Sequence, residues 1–289
     1  MLEHCKACKI AFIGPGVMAE AMIAGLIRQG LSLPEDITVA GPRAERLDEI
    51  HTRYQIATKA SNASAARESE VIVLSVKPQR LTSVLADLRG FVPPQALVLS
   101  IVAGAAIKKI MHGLNHERVV RSMPNTPAQI GEGITVWTAS AAVSDQQREV
   151  ARQILSALGD EVYVEEENYL DMATALSGTG PAYVFLFMEA MIDAGVHLGF
   201  PRRIAEKLVT QTMRGSVNYY LKRENAAHLA HLRNQVTSPG GTSAEALYYL
   251  EKAGFRTAIS RAIWAAYERS QELGQEERGH TPEEAKGVG

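Results

Sequence analysis

Gly14-Pro15-Gly16-Val17-Met18-Ala19 spells G-x-G-x-x-A, the first of several segments whose residue types can do chemistry. Gly14 allows a tight turn, Gly16 lets the backbone approach a pyrophosphate, and Ala19 permits close helix–strand packing. N–H groups at the start of a helix after such a turn favour phosphate. Ser75-Val76-Lys77-Pro78 sets a hydroxyl and a lysine at the end of an apolar run. Further on, Gly240, Gly241, Thr242 and Ser243 offer successive backbone N–H groups at a helix start. Such a nest suits a carboxylate, and a neighbouring hydroxyl can hydrogen-bond a second atom of the same ligand. Thr242-Ser243-Ala244-Glu245 also fits the capping box S/T-x-x-E, and a well-capped helix is still an anion site. Ser122–Pro127 and Ser177–Tyr183 are two more segments too specific for turns alone.

The glycine segment counts because of what surrounds it. Lys9–Ile13 reads as a strand and Val17–Gln29 as an amphipathic helix, so the glycines sit at a strand-to-helix turn. Ile37–Ala40 follows as a strand, then a helix from about Ala44 to Arg53. Val71–Val76, Leu97–Val102 and Val119–Ser122 are nearly continuous apolar runs, as expected for strands buried on both faces of a parallel sheet. Ile134–Thr138 and Glu161–Val164 are further strand-like pieces around a helix near Asp145–Leu158. The fold class is α/β, with residues 1–166 forming a Rossmann-type doubly wound sheet that binds a dinucleotide.

The end of the second strand decides which dinucleotide. Val39-Ala40-Gly41-Pro42-Arg43 lacks the acid that grips a ribose 2′-hydroxyl, while Arg43 is available to pair with a 2′-phosphate. The expected cofactor is NADPH, with NADH as the alternative. Were Arg43 only a solvated first-turn residue, that preference would lose its basis.

Past residue 167 the β-like alternation stops and helical patterns take over to residue 274. Pro181–Leu198, Pro201–Leu221, Ser243–Lys252 and Phe255–Leu273 read as helices. Tyr183–Met191 is so apolar that it needs cover on several sides, which points to packing against a second copy of the chain. The alternative is burial against the chain's own Rossmann domain. Residues 275–289 read as a polar, disordered tail.

Bulk properties exclude several classes. A net charge of −2 gives no basic face for nucleic acid. No uninterrupted apolar run approaches the ~18–20 residues of a membrane span, and the N-terminus lacks a signal peptide's apolar segment. The expected location is the cytoplasm, with no membrane partner. Cys5 and Cys8 form a lone C-x-x-C without the further ligands a structural metal requires, so no metal is expected and both are read as reduced thiols.

The S-V-K-P, M-P-N-T-P, S-G-T-G-P-A-Y and S-P-G-G-T segments occur in that order between Ile10 and about Leu273. In this the chain resembles the pyrroline-5-carboxylate reductases, the last enzymes of proline biosynthesis. The resemblance implies NAD(P)H-dependent reduction of the cyclic imine Δ1-pyrroline-5-carboxylate to L-proline. It also implies a helical C-terminal domain that interlocks into homodimers, often assembled into decamers. Cofactor contacts carried over from the family fall on Ile13, Gly14, Pro15, Gly16, Val17 and Met18, on Asn62, on Val76, Lys77 and Pro78, and on Ile101, Val102 and Ala103. Substrate contacts fall on Glu167, Thr242 and Ser243. The family usually has threonine where this chain has Ser243, and some members have serine where it has Gly41.

The expected chemistry is direct hydride transfer to the ring, with Ser243 hydrogen-bonding the ring nitrogen, Glu167 of the same or the partner subunit ordering the site and Lys77 orienting the nicotinamide end. Two alternatives are a related cyclic-imine reductase and a non-catalytic NADP-binding sensor. A hydroxyacid dehydrogenase of similar plan is disfavoured, because no lysine lies between Lys109 and Lys207 to serve its chemistry.

Overall fold

Short, largely apolar runs of four residues build the sheet. In the computed structural model, which describes residues 8–222 and 228–276, they are β1 (Ile10–Ile13), β2 (Ile37–Ala40), β4 (Val71–Leu74) and β5 (Leu97–Ser100). The remaining strands are β3 (Ala57–Lys59), β6 (Val119–Met123), β7 (Gly133–Ala139) and β8 (Gly159–Tyr163). Their spatial order is β3-β2-β1-β4-β5-β6-β7-β8. The pairings from β3 through β6 are parallel, β7 runs antiparallel to β6, and β8 runs parallel to β7.

Alternation along the strands sends side chains to two separate cores. Ile10, Phe12, Val71 and Val73 face α1 (Val17–Arg28), α2 (Ala44–Tyr54) and α6 (Asp145–Ser156). Ala11, Ile13, Ile72 and Leu74 face α3 (Asn62–Ala66), α4 (Pro78–Leu88) and α5 (Ile107–Leu114). Strands buried on both faces explain why these runs have no polar alternation. The order of strand addition reverses between β1 and β4, leaving a crevice at their carboxyl ends, where ligands sit in open α/β sheets.

His116, just after α5, is buried, and its Nε2–H donates to the Ala96 carbonyl at 2.8 Å. Burial pushes its imidazole below the usual 6.5, against the opposing pull of that hydrogen bond. The unfolded chain therefore takes up a proton at a pH where the folded chain does not, and stability falls as pH drops below about 6.5. His116→Gln, which keeps a donor without titrating, is expected to flatten that part of the acid sensitivity. Melting curves between about pH 7.5 and about 5.5 check this, and an unchanged slope would contradict it.

The chain divides into two compact units: residues through Thr179 with those from Ala266 onward, and Gly180–Ala265. The second unit contains α8 (Gly180–His197), α9 (Arg202–Leu221), α10 (Leu229–Gln235) and α11 (Thr242–Lys252). α12 spans Phe255–Glu276. Phe187 of α8 and Phe255 of α12 pack with ring centroids 6.0 Å apart. No residue of α8 is buried, and Phe185 and Leu186 stand 60% and 66% exposed, which leaves the expected apolar face uncovered within the chain.

The stretch Tyr169–His197 is, by length and composition, long and apolar enough to cross a membrane. Glu189 and Asp193 interrupt it, so it contains no unbroken apolar run of that length. Helix α12 also continues to Glu276, into the expected tail, of which residues 277–289 lie outside the described residues, as does Cys5. Cys8 is half-buried, and burial followed by the charges of Glu70 and Asp36 pushes its thiol up.

Candidate active site

A cavity of about 680 Å³ lies at the carboxyl ends of β1, β2 and β4, and Gly14, Pro15, Gly16, Arg43, Asn62, Val76 and Lys77 all line it. Gly41, Pro42, Ser61, Ser75, Arg80 and Asp87 complete much of the wall. Three cations, Arg43, Lys77 and Arg80, face one carboxylate, a balance suited to a phosphate-bearing ligand. Gly16 caps α1 without any side-chain hydrogen bond, so the N–H groups of the first turn are left open for an anion.

The turn is built by close approach. Gly14 has φ +106, and a Cβ there would lie 2.8 Å from the Ser75 carbonyl oxygen and 2.9 Å from Val76 Cγ1. Ser75 fastens the same turn, its hydroxyl donating to the Gly14 carbonyl at 2.8 Å and the Ile13 carbonyl at 3.0 Å. On the other side, a Cβ at Gly41 would meet Pro15 Cδ at 2.4 Å. Pro15 in the turn thus requires glycine at position 41, which gives the departure from serine a steric cause.

The remaining proposed cofactor residues do not line this cavity. Ile13 is fully buried in the sheet and Met18 packs on the α1-side core. Val17 is 61% exposed at the head of α1, and Pro78 opens α4 after Lys77. Val102 is buried in the α4-side core, while Ile101 and Ala103 are half-buried beyond β5.

Glu167 sits in a second cluster. Its Oε1 accepts from the Ile107 N–H at the head of α5 (2.8 Å) and from Arg121 Nη1 (2.9 Å). Arg121, buried on β6, donates through Nη2 to Asp171 Oδ1 at 3.0 Å, where Ser270 Oγ of α12 also donates at 3.1 Å. Oε2 of Glu167 is left without a hydrogen-bond partner among the described residues.

The Gly240–Ser243 loop belongs to the other unit. Gly241, not Thr242, is the cap of α11, so the expected capping box is absent. Glycine has no side chain to cap with, and the third helical residue is Ala244 instead of Glu245. The Gly241 N–H donates to the Ser238 carbonyl at 3.0 Å, and those of Ala244 and Glu245 go to Gly241 at 3.1 and 3.2 Å. Thr242 and Ser243 N–H have no acceptor among the described residues. The nest is thereby more open than a boxed helix would leave it.

The M-P-N-T-P and S-G-T-G-P-A-Y segments serve each other. Asn125 donates to the Ser177 carbonyl at 3.3 Å and accepts from the Ile134 N–H at 3.0 Å. Thr174–Gly178 is a π-helical turn, closed by the Thr179 N–H donating to the Thr174 carbonyl.

Comparison with known proteins agrees with this layout. A family model described as pyrroline-5-carboxylate reductase dimerisation matches residues 167–273, and one described as NADP oxidoreductase, coenzyme F420-dependent, matches residues 9–104. The pyrroline-5-carboxylate reductase of Synechocystis is 45% identical over 267 residues, covering 92% of this chain and 98% of the relative. The chain belongs to the pyrroline-5-carboxylate reductase family. The family member from Pseudomonas aeruginosa is 41% identical, covering 93% and 97% of the two chains. The crystal structure of the Plasmodium falciparum pyrroline carboxylate reductase with NADP bound superposes with a TM-score of 0.85 at 33% identity, over 93% of this chain and 99% of that one. The family resemblance read from the motifs therefore holds, as do the Rossmann-type sheet and the helical dimerisation region.

Two features of this reductase family member escaped sequence reasoning. Ser75 stands out in the sequence only as part of its segment, and no spacing rule predicts a hydroxyl bonding a carbonyl 61 residues away. Arg46 was not singled out, although its Nε donates to the Pro15 carbonyl at 3.1 Å.

Proposed function

We propose that this chain reduces Δ1-pyrroline-5-carboxylate to L-proline with NADPH, the cavity at the β1–β4 crevice taking the cofactor and the Gly240–Ser243 nest taking the substrate carboxylate. The observation that carries the reading is the 45% identity to a pyrroline-5-carboxylate reductase over 98% of its length, joined to a cation-lined cavity at a dinucleotide turn. NADPH, when bound, supplies a hydride from C4 of its nicotinamide to C5 of the pyrroline ring.

The chain's own residues bind, orient and exclude water. The open Thr242 and Ser243 N–H groups hold the substrate carboxylate at the start of α11. The Ser243 hydroxyl hydrogen-bonds the ring nitrogen as it becomes an amine. Glu167, fixed through Oε1 by Arg121, helps to order the substrate, and Lys77 orients the nicotinamide end. The uncovered face of α8 supports homodimers through the dimerisation region, and the family resemblance extends this to decamers.

Arg43 carries the cofactor preference. It is exposed at the cavity wall with no side-chain capping bond of its own, and no acid at the end of β2 competes for a ribose hydroxyl. Arg43→Ala is expected to raise KM for NADPH about tenfold, the scale of one charge-assisted hydrogen bond, and to leave NADH little changed. Steady-state kinetics with both cofactors checks this, and a parallel change in the two would remove Arg43 from 2′-phosphate recognition. The function itself is tested by product analysis: proline should form in step with NADPH oxidation, and its absence would overturn the reading.

A further inference from the structure

The pyrophosphate turn is braced from the second helix. Arg46, on the first turn of α2, donates through Nε to the Pro15 carbonyl at 3.1 Å and through Nη2 to Glu20 Oε2. Its Nη1 bonds Glu49 at 2.9 Å, so the guanidinium is used on three sides. Glu20 accepts on its other oxygen from Arg53 and from the Tyr54 hydroxyl, the latter at 3.0 Å. Arg46 and Glu20 side chains are only 17% and 15% exposed.

Two physical problems of a dinucleotide site meet here. A peptide in the glycine turn can present either its N–H or its carbonyl to an incoming phosphate, and a carbonyl would repel it. Arg46 holds the Pro15 carbonyl toward α2, and the Gly16 N–H of the same peptide donates to the Gly14 carbonyl at 2.9 Å, so the donors left for a phosphate are the N–H groups that follow at the start of α1. Glu20, in the first turn of α1, would also place an uncompensated negative charge at the helix end that must receive a pyrophosphate. Burial would raise that carboxyl, but hydrogen bonds from Arg46 and Tyr54 and the charges of Arg46 and Arg53 hold it below the usual carboxylate range. It stays ionised and paired, with two guanidinium groups balancing it.

We propose that Arg46 is a positioning residue for cofactor binding, restraining the Pro15 carbonyl and cancelling Glu20 so that the turn receives the pyrophosphate of either nicotinamide cofactor. Arg46 touches the part of the ligand-binding turn common to NADPH and NADH, whereas Arg43 addresses the 2′-phosphate alone. The brace also ties α1 to α2 next to the Gly41–Pro15 contact, so the two cofactor turns are held as one piece. This inference rests on the proposed use of the cavity for a nicotinamide cofactor.

The test is a KM-against-kcat comparison with both cofactors on the full-length protein. Arg46→Met is expected to raise KM for NADPH and NADH together by about tenfold, with the ratio between them, kcat at saturation and KM for pyrroline-5-carboxylate little changed. Arg46→Lys, which can pair Glu20 but lacks the Nε donor, serves as a second variant should methionine prevent folding, and is expected to weaken both cofactors in the same way. Adding Glu20→Gln to Arg46→Met should recover only part of the loss, because the Pro15 carbonyl remains unheld. Unchanged cofactor KM values in both Arg46 variants would overturn the inference while leaving the proposed function standing, as would a change in NADPH alone. A wild-type protein that binds neither cofactor would instead remove the proposed function.

Discussion

Ser243→Ala is expected to lower turnover about a hundredfold while NADPH affinity changes less than about twofold. Ser243 is the second residue of α11, half-buried, with its N–H lacking an acceptor. Alanine keeps that N–H and the helix start, so carboxylate binding survives and the change isolates the hydroxyl. Its proposed role is to hydrogen-bond the ring nitrogen where charge changes during reduction, which places the loss in kcat more than in KM. Ser243→Thr should retain most of the activity, since the hydroxyl is kept. Cofactor titration and steady-state kinetics on the three proteins decide the matter. Full turnover by the alanine variant would remove Ser243 from the chemistry.

Gly14→Ala is expected to abolish measurable cofactor binding and to destabilise the fold by roughly 3 kcal/mol, combining left-handed backbone strain with overpacking. The contacts that a Cβ would make are with backbone and a branched side chain: the Ser75 carbonyl oxygen at 2.8 Å and Val76 Cγ1 at 2.9 Å. Neither can rotate out of the way as the end of a long side chain could. Relief requires separating β1 from the segment after β4, which opens the crevice that holds the cofactor. Melting temperature and NADPH titration should therefore fall together. A variant with wild-type stability and affinity would contradict the close approach.

Legibility in the sequence followed the physics of each element. Val71–Leu74 and Leu97–Ser100 were readable because strands buried on both faces leave unbroken apolar runs, although each run was read two residues too long. The Val17 helix start, the Ile37–Ala40 strand and the Asp145 helix start, with its Ser144–Gln147 capping box, carried local signals and were placed correctly. β3 was missed because Ala57-Thr58-Lys59 is three residues long, sits at the sheet edge and has no fully buried side chain. α10 was missed because Leu-Ala-His-Leu-Arg-Asn-Gln is too short to show a helical period. The π turn at Thr174–Gly178 is invisible, since its residues suit an ordinary helix equally well.

The site divides in the same way. Glycine spacing and the missing acid after β2 marked the cavity, because both are local requirements of a dinucleotide turn. Expected contacts at Ile101, Val102 and Ala103 came from resemblance alone and do not reach that cavity. The capping-box reading of Thr242–Glu245 failed because the helix begins one residue earlier, with Gly241 at the cap position and Glu245 past the third helical residue. Pairings such as Arg121 with Glu167 or Arg46 with Pro15 join residues 46 and 31 positions apart, and only tertiary structure reveals them.

The central claim is direct hydride transfer from NADPH to the pyrroline ring within this chain's site. NADPH carrying deuterium at the transferable C4 position tests it most directly, with the proline product analysed by mass spectrometry and NMR. One deuterium at C5 of proline is the predicted result. Proline without deuterium, or cofactor binding with no proline formed, would contradict it.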